Sequence, residues 1–331
     1  MRCAVIGGGA WGTALGDLLS RGGHPVTLWA REPDVARDVA EHHRNPRFLP
    51  GIALHPALTA TARLDEAMTG AGMVLYVAPS HVLRDVVRAS ARVASADVVL
   101  VVATKGIERG SLALMSDVVE SELPGRPVVA LSGPSFAMEV AQCHPTAIVA
   151  ASRSAAAATL VQRTCSSPSV RIYTNDDVCG VELGGALKNV MAIATGIAEG
   201  LDLGLNSRAA LITRGLAEMA RLGEALGARP STFAGLAGMG DLVLTCTGAL
   251  SRNRSIGLEL GRGRSLAEAQ SGRESVAEGI LNTESAWTLA QREHVDMPIV
   301  QAVHRILFEG HSPRQAMSDL MGRELRAEHD E

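Results

Sequence analysis

The chain is poor in aromatic residues, which make up 3% of its 331 residues. A core of any size must therefore be built from Ala, Val, Leu, Ile and Met. So few rings also leave little from which to build the base-stacking platform of a single-strand nucleic-acid binder. The formal net charge is −4, which does not indicate the broad basic surface that DNA and RNA binders carry. We therefore expect no nucleic-acid partner.

Cysteine is scarce and its spacing is uninformative. The five cysteines are an odd number, are widely spread and form no CxxC motif: Cys3, Cys143, Cys165, Cys179 and Cys246. This pattern indicates neither a disulfide framework nor a zinc site, so we expect no metal. It favours buried free thiols in a reducing compartment.

Long uninterrupted apolar runs are also missing. The most apolar stretch, residues 183–201, carries Lys188, Asn189 and Glu199, which a lipid environment would penalise. Near the N-terminus, glycines from Gly7 onward interrupt the apolar segment that would have to serve as a signal peptide. We therefore expect a cytoplasmic protein without stable membrane insertion.

What the first half does contain is a series of short, nearly continuous apolar runs. They cover residues 3–6, 26–29, 73–78, 98–103, 128–131 and 147–151, with a helical pattern over residues 12–21. Continuous apolar strands are typical of a sheet covered on both faces, and strand–helix–strand order indicates parallel pairing. We predict a doubly wound, Rossmann-like parallel sheet.

From about residue 180 the strand-like runs end and helical patterns follow. We predict helices over residues 181–200, 207–226, 254–261, 283–291 and 298–308, with Gly227 and Gly310 at helix ends and Pro298 in a first turn. The length also favours two domains. The prediction is thus an α/β dinucleotide-binding domain at residues 1–180, followed by an all-α substrate domain at residues 181–331.

A glycine-rich turn lies directly between the first predicted strand and its helix. Gly7, Gly9 and Gly12 satisfy GxGxxG, and this position in a parallel sheet is the context that the motif requires. Gly7 permits the tight turn, Gly9 lacks the Cβ that would block a pyrophosphate, and Gly12 lets helix and strand pack closely. The helix N-terminus would then direct free N–H groups at the anion.

The end of the second strand bears on the choice of dinucleotide. Arg31 would suit the 2′-phosphate of NADP, whereas Glu32 could reach the ribose hydroxyl of NAD. The pair favours NADP as cofactor, with NAD also accepted. The alternative is an exposed Arg–Glu pair without a role.

Polar residues follow three strands at the edge where ligands of open parallel sheets gather. Lys105 lies two residues after the end of the run 98–103, and an ammonium group there costs desolvation unless an anion receives it. Ser135 follows the run 128–131. His81 lies after the run 73–78, where a general base and a surface histidine are equally compatible with the sequence.

Two further clusters lie in the helical half. Lys188 stands in an apolar helix beside Gly184, Gly185 and Ala192, small residues that would let a cofactor or another helix approach. Desolvation would lower its pKa and suit it to proton transfer, although a helical lysine can also extend to water. A loop with Asp241 precedes Ser251, Arg252 and Asn253, a set suited to a phosphate but also to helix capping and a solvated turn.

Six ordered segments, with a shorter seventh, resemble the bacterial-type NAD(P)-dependent glycerol-3-phosphate dehydrogenases over almost the whole chain. They are GGGAWGTAL (7–15), ATKGIE (103–108), LSGPSFAMEV (131–140), GVELGGALKNV (180–190), NSRAALITRGLAEMARLG (206–223), GLAGMGDLVLTCTGALSRNR (235–254) and VAEG (276–279).

This resemblance implies roles for individual residues. Those implied to contact the dinucleotide are Ala10, Trp11, Arg31, Lys105, Ala137, Arg252, Val276 and Glu278, beside the glycines of the turn. Those implied to contact the substrate are Lys105, Gly133, Ser135, Lys188, Asp241, Ser251, Arg252 and Asn253. Ala10 departs from the serine common at its position, but backbone contacts would survive that change. Lys188 is implied to be the proton acceptor, with Lys105 and Asp241 in the catalytic group.

The resemblance further implies a cytoplasmic homodimer that supplies sn-glycerol 3-phosphate for phospholipid synthesis. Hydride would pass between NAD(P)H and dihydroxyacetone phosphate, while Lys188 exchanges the hydroxyl proton. Two alternatives stay open from the residues alone. One is a two-domain dehydrogenase of β-hydroxyacids or ketoacids, which would not need Ser251, Arg252 and Asn253. The other is a non-catalytic NADP-binding sensor, which would not need a proton acceptor.

Overall fold

The computed structural model describes residues 1–271, 278–325 and 327–328, so the predicted cofactor contact at Val276 lies outside the described residues. The described strands are β1 (Cys3–Ile6), β2 (Val26–Trp29), β3 (Leu58–Thr61), β4 (Met73–Tyr76), β5 (Val99–Val102), β6 (Val128–Ser132), β7 (Thr146–Ala151) and β8 (Val170–Asn175). The helices of the same half are α1 (Ala10–Arg21), α2 (Pro33–His42), α3 (Leu64–Met68), α4 (Leu83–Ser90), α5 (Met115–Glu122), α6 (Ala137–Ala141) and α7 (Ala155–Cys165).

The second half contains helices and connecting loops, and no strand among its described residues. Its helices are α8 (Val178–Gly200), α9 (Gly204–Ala225), α10 (Pro230–Phe233), α11 (Asp241–Thr247), α12 (Arg252–Gly261), α13 (Leu266–Gln270), α14 (Glu278–Arg292), α15 (Pro298–Phe308) and α16 (Pro313–Met321). A π-helical turn, Leu236–Gly240, immediately precedes α11. The predicted change from sheet to helices is confirmed, whereas the division at residue 180 stays a prediction.

The eight strands form one sheet in the order β3-β2-β1-β4-β5-β6-β7-β8. The chain order reverses between β1 and β4, and the carboxyl ends there form the crevice in which such sheets bind ligands. All neighbouring pairs are parallel except β6 and β7, so the predicted doubly wound, mostly parallel sheet is confirmed, with one antiparallel pair that was not predicted. The intervening α6 has five residues and rises about 7.5 Å. This helix is too short to carry the chain back to the opposite end of the strands, which a parallel β6–β7 pair would require.

All six predicted strands are present with small changes at their ends, but β3 and β8 were not predicted. Both lie at the edges of the sheet, and β8 alternates buried and exposed residues along Val170–Tyr173. The central strands are buried on both faces: Val5 packs with α1, whereas Ile6 packs with α4 and α5. Continuous apolar runs therefore identified the centre of the sheet and missed its edges.

Helix α8 is the centre of the helical half. Every residue from Gly180 to Ala198 is buried, and α9, α11, α12 and α14 pack around it. Among the described residues, α8 is one helix that is long and apolar enough to cross a membrane. A bent pair of helices would be a second if the pair counted as one span. However, 89% of the most apolar stretch of α8 is buried inside the protein. Burial on all sides is what a core helix requires.

Several local predictions can be compared with the structure. Gly227 and Gly310 adopt φ of 83° and 69° just after α9 and α15, and Pro298 begins α15, as predicted. All five cysteines are free. Cys3, Cys165 and Cys246 are buried as expected, but the expectation is wrong for exposed Cys143 and half-buried Cys179.

Candidate active site

The glycine turn has the geometry that a bound dinucleotide requires. Gly7 has a φ of +134°, and a Cβ there would lie 2.8 Å from the carbonyl carbon of Val77. A Cβ on Gly12 would lie 1.9 Å from the Gly7 oxygen, so α1 starts in close contact with the turn. A Cβ on Gly9 would meet no described atom within 4 Å, which leaves an open cradle at the N-terminus of α1. A pyrophosphate fits such a cradle.

The neighbours of this cradle include several predicted cofactor residues. Ala10 and Trp11 form the first turn of α1, and α6, which begins at Ala137, packs against α1. The indole nitrogen of Trp11 is buried and finds no hydrogen-bond partner among the described residues. A buried donor normally has a partner, so this indole N–H is a candidate contact for a bound ligand.

Arg31 lies at the carboxyl end of β2, as predicted. Its guanidinium is mostly exposed and donates to Glu32 Oε1, with a distance of 2.9 Å from Nη2. Arg31, which would suit NADP, and Glu32, which would suit NAD, thus form an ion pair with each other. An exposed pair of this kind contributes little to stability and leaves other guanidinium donors for a phosphate.

The centre of the site is a carboxylate held between two ammonium groups. Lys188 Nζ lies 2.5 Å from Asp241 Oδ1, and Lys105 Nζ lies 2.6 Å from Asp241 Oδ2. Lys188 and Asp241 are buried, with Asp241 fully inaccessible. The structure thereby brings together the three residues predicted to be catalytic, one from the sheet half and two from the helical half.

The amino-acid composition makes the contact of both lysines with Asp241 more informative. The chain contains 29 arginines but just two lysines, Lys105 and Lys188. Both contact the same carboxylate. Arginine, which proteins do not deprotonate, serves as the basic side chain everywhere else in the chain. This count is a signal in the sequence that our sequence analysis missed.

Each of the three side chains is positioned by a close backbone approach. Lys105 stands on the loop after β5, and a Cβ on Gly185 of α8 would lie 3.3 Å from its aliphatic stem. A Cβ on Gly184 would lie 2.4 Å from the Ala237 oxygen, so α8 contacts the π-helical turn. That turn leads directly into Asp241. The small residues beside Lys188 thus admit other parts of the chain, and π-turns are frequent at functional sites.

Burial lowers the pKa of Lys188 from its usual value to about 8. Loss of hydration disfavours the ammonium form and is the largest cause. The carboxylate of Asp241 opposes the shift, and the charge of Lys105 adds to it. A lysine with such a pKa exists in both protonation states near neutral pH.

Gly133 and Ser135 complete the sheet side of the site. The Gly133 carbonyl accepts a hydrogen bond of 3.0 Å from Lys105 Nζ and one of 2.9 Å from the Ser135 hydroxyl. Gly133 has a φ of +127°, and a Cβ there would lie 3.0 Å from the Ile148 Cα. Glycine is therefore required where this carbonyl turns toward the lysine.

The predicted phosphate-binding residues surround the start of α12. Ser251 is the N-cap of α12 and accepts from Arg254 N at 3.2 Å. The buried Asn253 amide donates to Asn189 Oδ1 at 2.9 Å and accepts from Gly279 N at 3.1 Å. The side chain of Arg252 is exposed. The structure shows Ser251 as a helix cap, and its contact with a phosphate stays a prediction.

Glu278 and His81 lie near the carboxyl end of β4. Glu278 accepts from the Ser80 hydroxyl at 2.5 Å and from Ser80 N at 3.2 Å, across 198 residues of sequence. His81 is exposed, next to this contact. The predicted contact of Glu278 with a cofactor stays a prediction.

Sequence analysis missed four polar residues around the site. Asn189 holds Asn253, and Thr245 donates to the Asp241 carbonyl at 2.6 Å. Glu182 of α8 accepts from Ser116 at the start of α5, and Asn282 bridges α8 to the loop after β5. Asn189 adjoins Lys188 in sequence, but the partners of Glu182 and Asn282 are distant and no local signal marks them.

The arrangement is suited to moving one proton to or from a bound ligand. With both lysines protonated the buried group carries one net positive charge, which would stabilise a developing oxyanion. Lys188 is the group that can give up its proton near neutral pH.

Two family models, which describe the N-terminal and C-terminal halves of one enzyme, match the chain. A family model described as "NAD-dependent glycerol-3-phosphate dehydrogenase N-terminus" matches residues 2–158. A second, described as the C-terminus of the same enzyme, matches residues 177–318.

Individual relatives agree over nearly the full length. Proteins named glycerol-3-phosphate dehydrogenase (NAD(P)+) from Geobacter sulfurreducens and Citrifermentans bemidjiense are 54% and 52% identical over 330 residues, which is 99% of this chain and 98% of each relative. The crystal structure of glycerol-3-phosphate dehydrogenase from Coxiella burnetii has a TM-score of 0.94 at 42% identity, covering 97% of this chain and 99% of that one.

Proposed function

The chain belongs to the NAD-dependent glycerol-3-phosphate dehydrogenase family, and we propose that it works as this enzyme with Lys188 as its proton-transferring residue. The reaction is the reversible NAD(P)-dependent interconversion of dihydroxyacetone phosphate and sn-glycerol 3-phosphate. The observation that carries the residue assignment is the buried contact of Lys188 and Lys105 with one carboxylate.

A bound nicotinamide dinucleotide supplies the hydride for reduction and accepts it in oxidation. In the reductive direction, the ammonium form of Lys188 protonates the oxygen at C2 of the substrate. In the oxidative direction, the neutral amine accepts the hydroxyl proton. Since the pKa of Lys188 is about 8, we expect reduction to slow and oxidation to quicken as the pH rises through that value.

Lys105 acts on the same substrate oxygen as Lys188, and Asp241 acts on the two lysines. Lys105 adds a second positive charge near the developing alkoxide, and that charge favours the anion in a water-poor site. Asp241 contacts both ammonium groups, at distances of 2.5 and 2.6 Å, and its negative charge offsets their mutual repulsion. Without it the two charges would repel each other.

The remaining predicted residues divide between substrate and dinucleotide. Ser251, Arg252 and Asn253 hold the substrate phosphate, and Gly133 and Ser135 border the triose. Gly7, Gly9, Gly12, Ala10 and Trp11 receive the dinucleotide at the N-terminus of α1, with Ala137, Arg252, Val276 and Glu278 as further contacts. Arg31 recognises the 2′-phosphate, so NADP is the favoured cofactor and NAD is also used.

The wider assignments complete the proposal. The dinucleotide-binding domain comprises residues 1–180 and the substrate domain residues 181–331. The enzyme acts in the cytoplasm as a homodimer, without stable membrane insertion, and its product serves phospholipid synthesis. These assignments derive from the family and from the division of the fold.

A substrate panel with purified protein tests the function. We expect oxidation of NADPH, and more slowly of NADH, with dihydroxyacetone phosphate. Dihydroxyacetone and short β-ketoacids should give little turnover because they lack the phosphate. Lys188→Ala should lower kcat by roughly 100-fold or more, while the Kd for NADPH stays within about twofold.

Three results would contradict the proposal at different levels. Absence of turnover with dihydroxyacetone phosphate, despite NADPH binding, would favour the non-catalytic sensor. Turnover with a β-ketoacid in its place would favour the other dehydrogenase class. If Lys188→Ala retained a near-normal kcat, the enzyme assignment would stand and the proton carrier would be another group.

A further inference from the structure

Asn282 is a fully buried amide on α14 that bridges two elements of the site. Its Oδ1 accepts a hydrogen bond of 3.3 Å from Ile107 N, in the loop after β5. Its Nδ2 donates a hydrogen bond of 3.4 Å to the carbonyl of Ala186, on α8. An amide suits this place because it donates and accepts at once. One side chain therefore links the sheet half to the central helix of the helical half.

Each contact of Asn282 lies two residues from a lysine. Ile107 follows Lys105 along the loop, and Ala186 precedes Lys188 along α8. The two lysines reach opposite oxygens of Asp241. The distance between the loop and α8 therefore decides whether both ammonium groups can hold that carboxylate.

The same face of α14 also contacts the segment that follows β4, the strand next to β5. Glu278 lies one helical turn before Asn282 and accepts two hydrogen bonds from Ser80. A Cβ on Gly106, between Lys105 and Ile107, would lie 2.7 Å from the Ser80 Cβ and 3.1 Å from Asn282 Oδ1. The loop that carries Lys105 is thus tightly enclosed by Ser80 and α14.

We propose that Asn282 is a positioning residue that sets the separation of Lys105 and Lys188 by tying the loop after β5 to α8. The inference rests on the proposed roles of the two lysines. Asn282 acts through backbone groups on either side of them, and being neutral it adds no charge to the site. A misplacement on the order of 1 Å at reacting groups is enough to cost a large factor in rate.

Asn282→Leu removes both hydrogen bonds while keeping a side chain of similar size. We expect kcat for dihydroxyacetone phosphate reduction to fall by about 10- to 100-fold, with the Kd for NADPH within about twofold of wild type. Thr283→Val is the matched control, since the buried Thr283 hydroxyl donates to Gly279 within α14 itself. Its kcat should stay within about twofold of wild type.

The scarcity of lysine provides a second measurement that is independent of turnover. Trace amine labelling at a series of pH values, read by mass spectrometry, reports the two lysines and the N-terminus. The titratable groups that act on the Lys188 ammonium are Asp241, Lys105 and the Cys246 thiol. If the loop moves away in Asn282→Leu, Lys105 repels Lys188 less, and we expect the midpoint of Lys188 labelling to rise from about 8. Thr283→Val should leave it unchanged.

Gly106→Ala tests the same contact from the other side and serves if Asn282→Leu fails to fold. Its methyl group would press between Ser80 and Asn282, so kcat should fall about tenfold and the labelling midpoint should rise. The proposal is overturned if either folded variant keeps wild-type kcat and labelling, or if Asn282→Leu behaves like Thr283→Val. Wild-type protein that is inactive with dihydroxyacetone phosphate would refute the proposed function instead.

Discussion

At the scale of single residues, the choice between lysine and arginine is informative. The chain uses arginine 29 times and lysine twice, and both lysines contact Asp241. A positive charge alone would be served equally well by arginine. What arginine cannot do is release a proton near neutral pH, because its pKa exceeds about 12. The two exceptions therefore coincide with the chemistry that needs an amine.

Lys188→Arg tests this difference between charge and proton transfer. We expect kcat to fall by about 100-fold or more, because the guanidinium retains the charge but neither donates nor accepts the proton. The KM for dihydroxyacetone phosphate should change much less. Steady-state kinetics with saturating NADPH measures both.

The control for that prediction is the reverse exchange at an exposed position. Arg153 is mostly exposed and pairs with Glu120. Arg153→Lys should leave kcat unchanged. Comparable kcat for Lys188→Arg and Arg153→Lys would exclude Lys188 as the proton carrier.

Residue-level prediction from the sequence succeeded where chemistry and sequence position coincide. Lys105, Gly133 and Lys188 lie in distinctive segments, and the structure brings them together around Asp241. Asn282 could not be found in this way, because its partners are 175 and 96 residues distant and neither is a side chain. Its role depends on packing that no local pattern encodes.

At the scale of elements, burial decided which strands were predictable. Strands at the centre of the sheet are covered on both faces and show as continuous apolar runs. The edge strand β3, Leu-Thr-Ala-Thr, has one buried residue, and β8 alternates. The antiparallel β6–β7 pair was missed because apolar runs do not reveal strand direction.

The contact between α8 and α12 depends on glycines from both helices. A Cβ on Gly257 would lie 2.1 Å from the Ile193 oxygen, which is a backbone atom that cannot move easily. Gly257→Ala should therefore lower the free energy of unfolding by about 1–3 kcal/mol, even though alanine favours helix. Urea unfolding followed by circular dichroism measures the change.

Gly16→Ala is the matched control because it also lies inside a helix. Its nearest neighbours are methyl groups of Leu58, the closest at 3.2 Å, and a side chain can shift. We expect unchanged or slightly higher stability from the helix propensity of alanine, on the order of 1 kcal/mol at most. Equal effects at both positions would refute the importance of the close α8–α12 contact.

At the scale of the whole molecule, the site lies where the two halves meet, and buried polar groups hold that boundary. Glu182 of α8 accepts from Ser116 N at 2.9 Å and from its hydroxyl at 2.5 Å, at the start of α5. Glu278 and Asn282 hold the loops after β4 and β5. The relative position of Lys105 and Lys188 is thus a property of the assembled chain.

Buried carboxyl groups also make the stability of the whole fold depend on pH. Glu218 of α9 accepts from Ile299 N at 2.8 Å and Val300 N at 3.3 Å, at the start of α15. Burial raises its pKa from 4.5 to about 7, against the opposing effect of these hydrogen bonds. Between those two values the folded chain binds more protons at this residue than the unfolded chain. Its contribution to stability is therefore complete below about 4.5 and is lost as the pH rises through about 7.

Glu218→Gln should remove this dependence, because the amide does not titrate. In wild-type protein we expect this residue to lower the free energy of unfolding by on the order of 2 kcal/mol between pH 5 and 7.5, and the variant should lack that part. Urea unfolding at both pH values measures the difference, with Glu224→Gln, an exposed position on the same helix, as control. The absolute stability of Glu218→Gln is not decisive, since glutamine loses one of the two acceptors. An identical pH dependence in wild type and Glu218→Gln would show that the carboxyl is ionised throughout this range, with the two N–H donors outweighing burial.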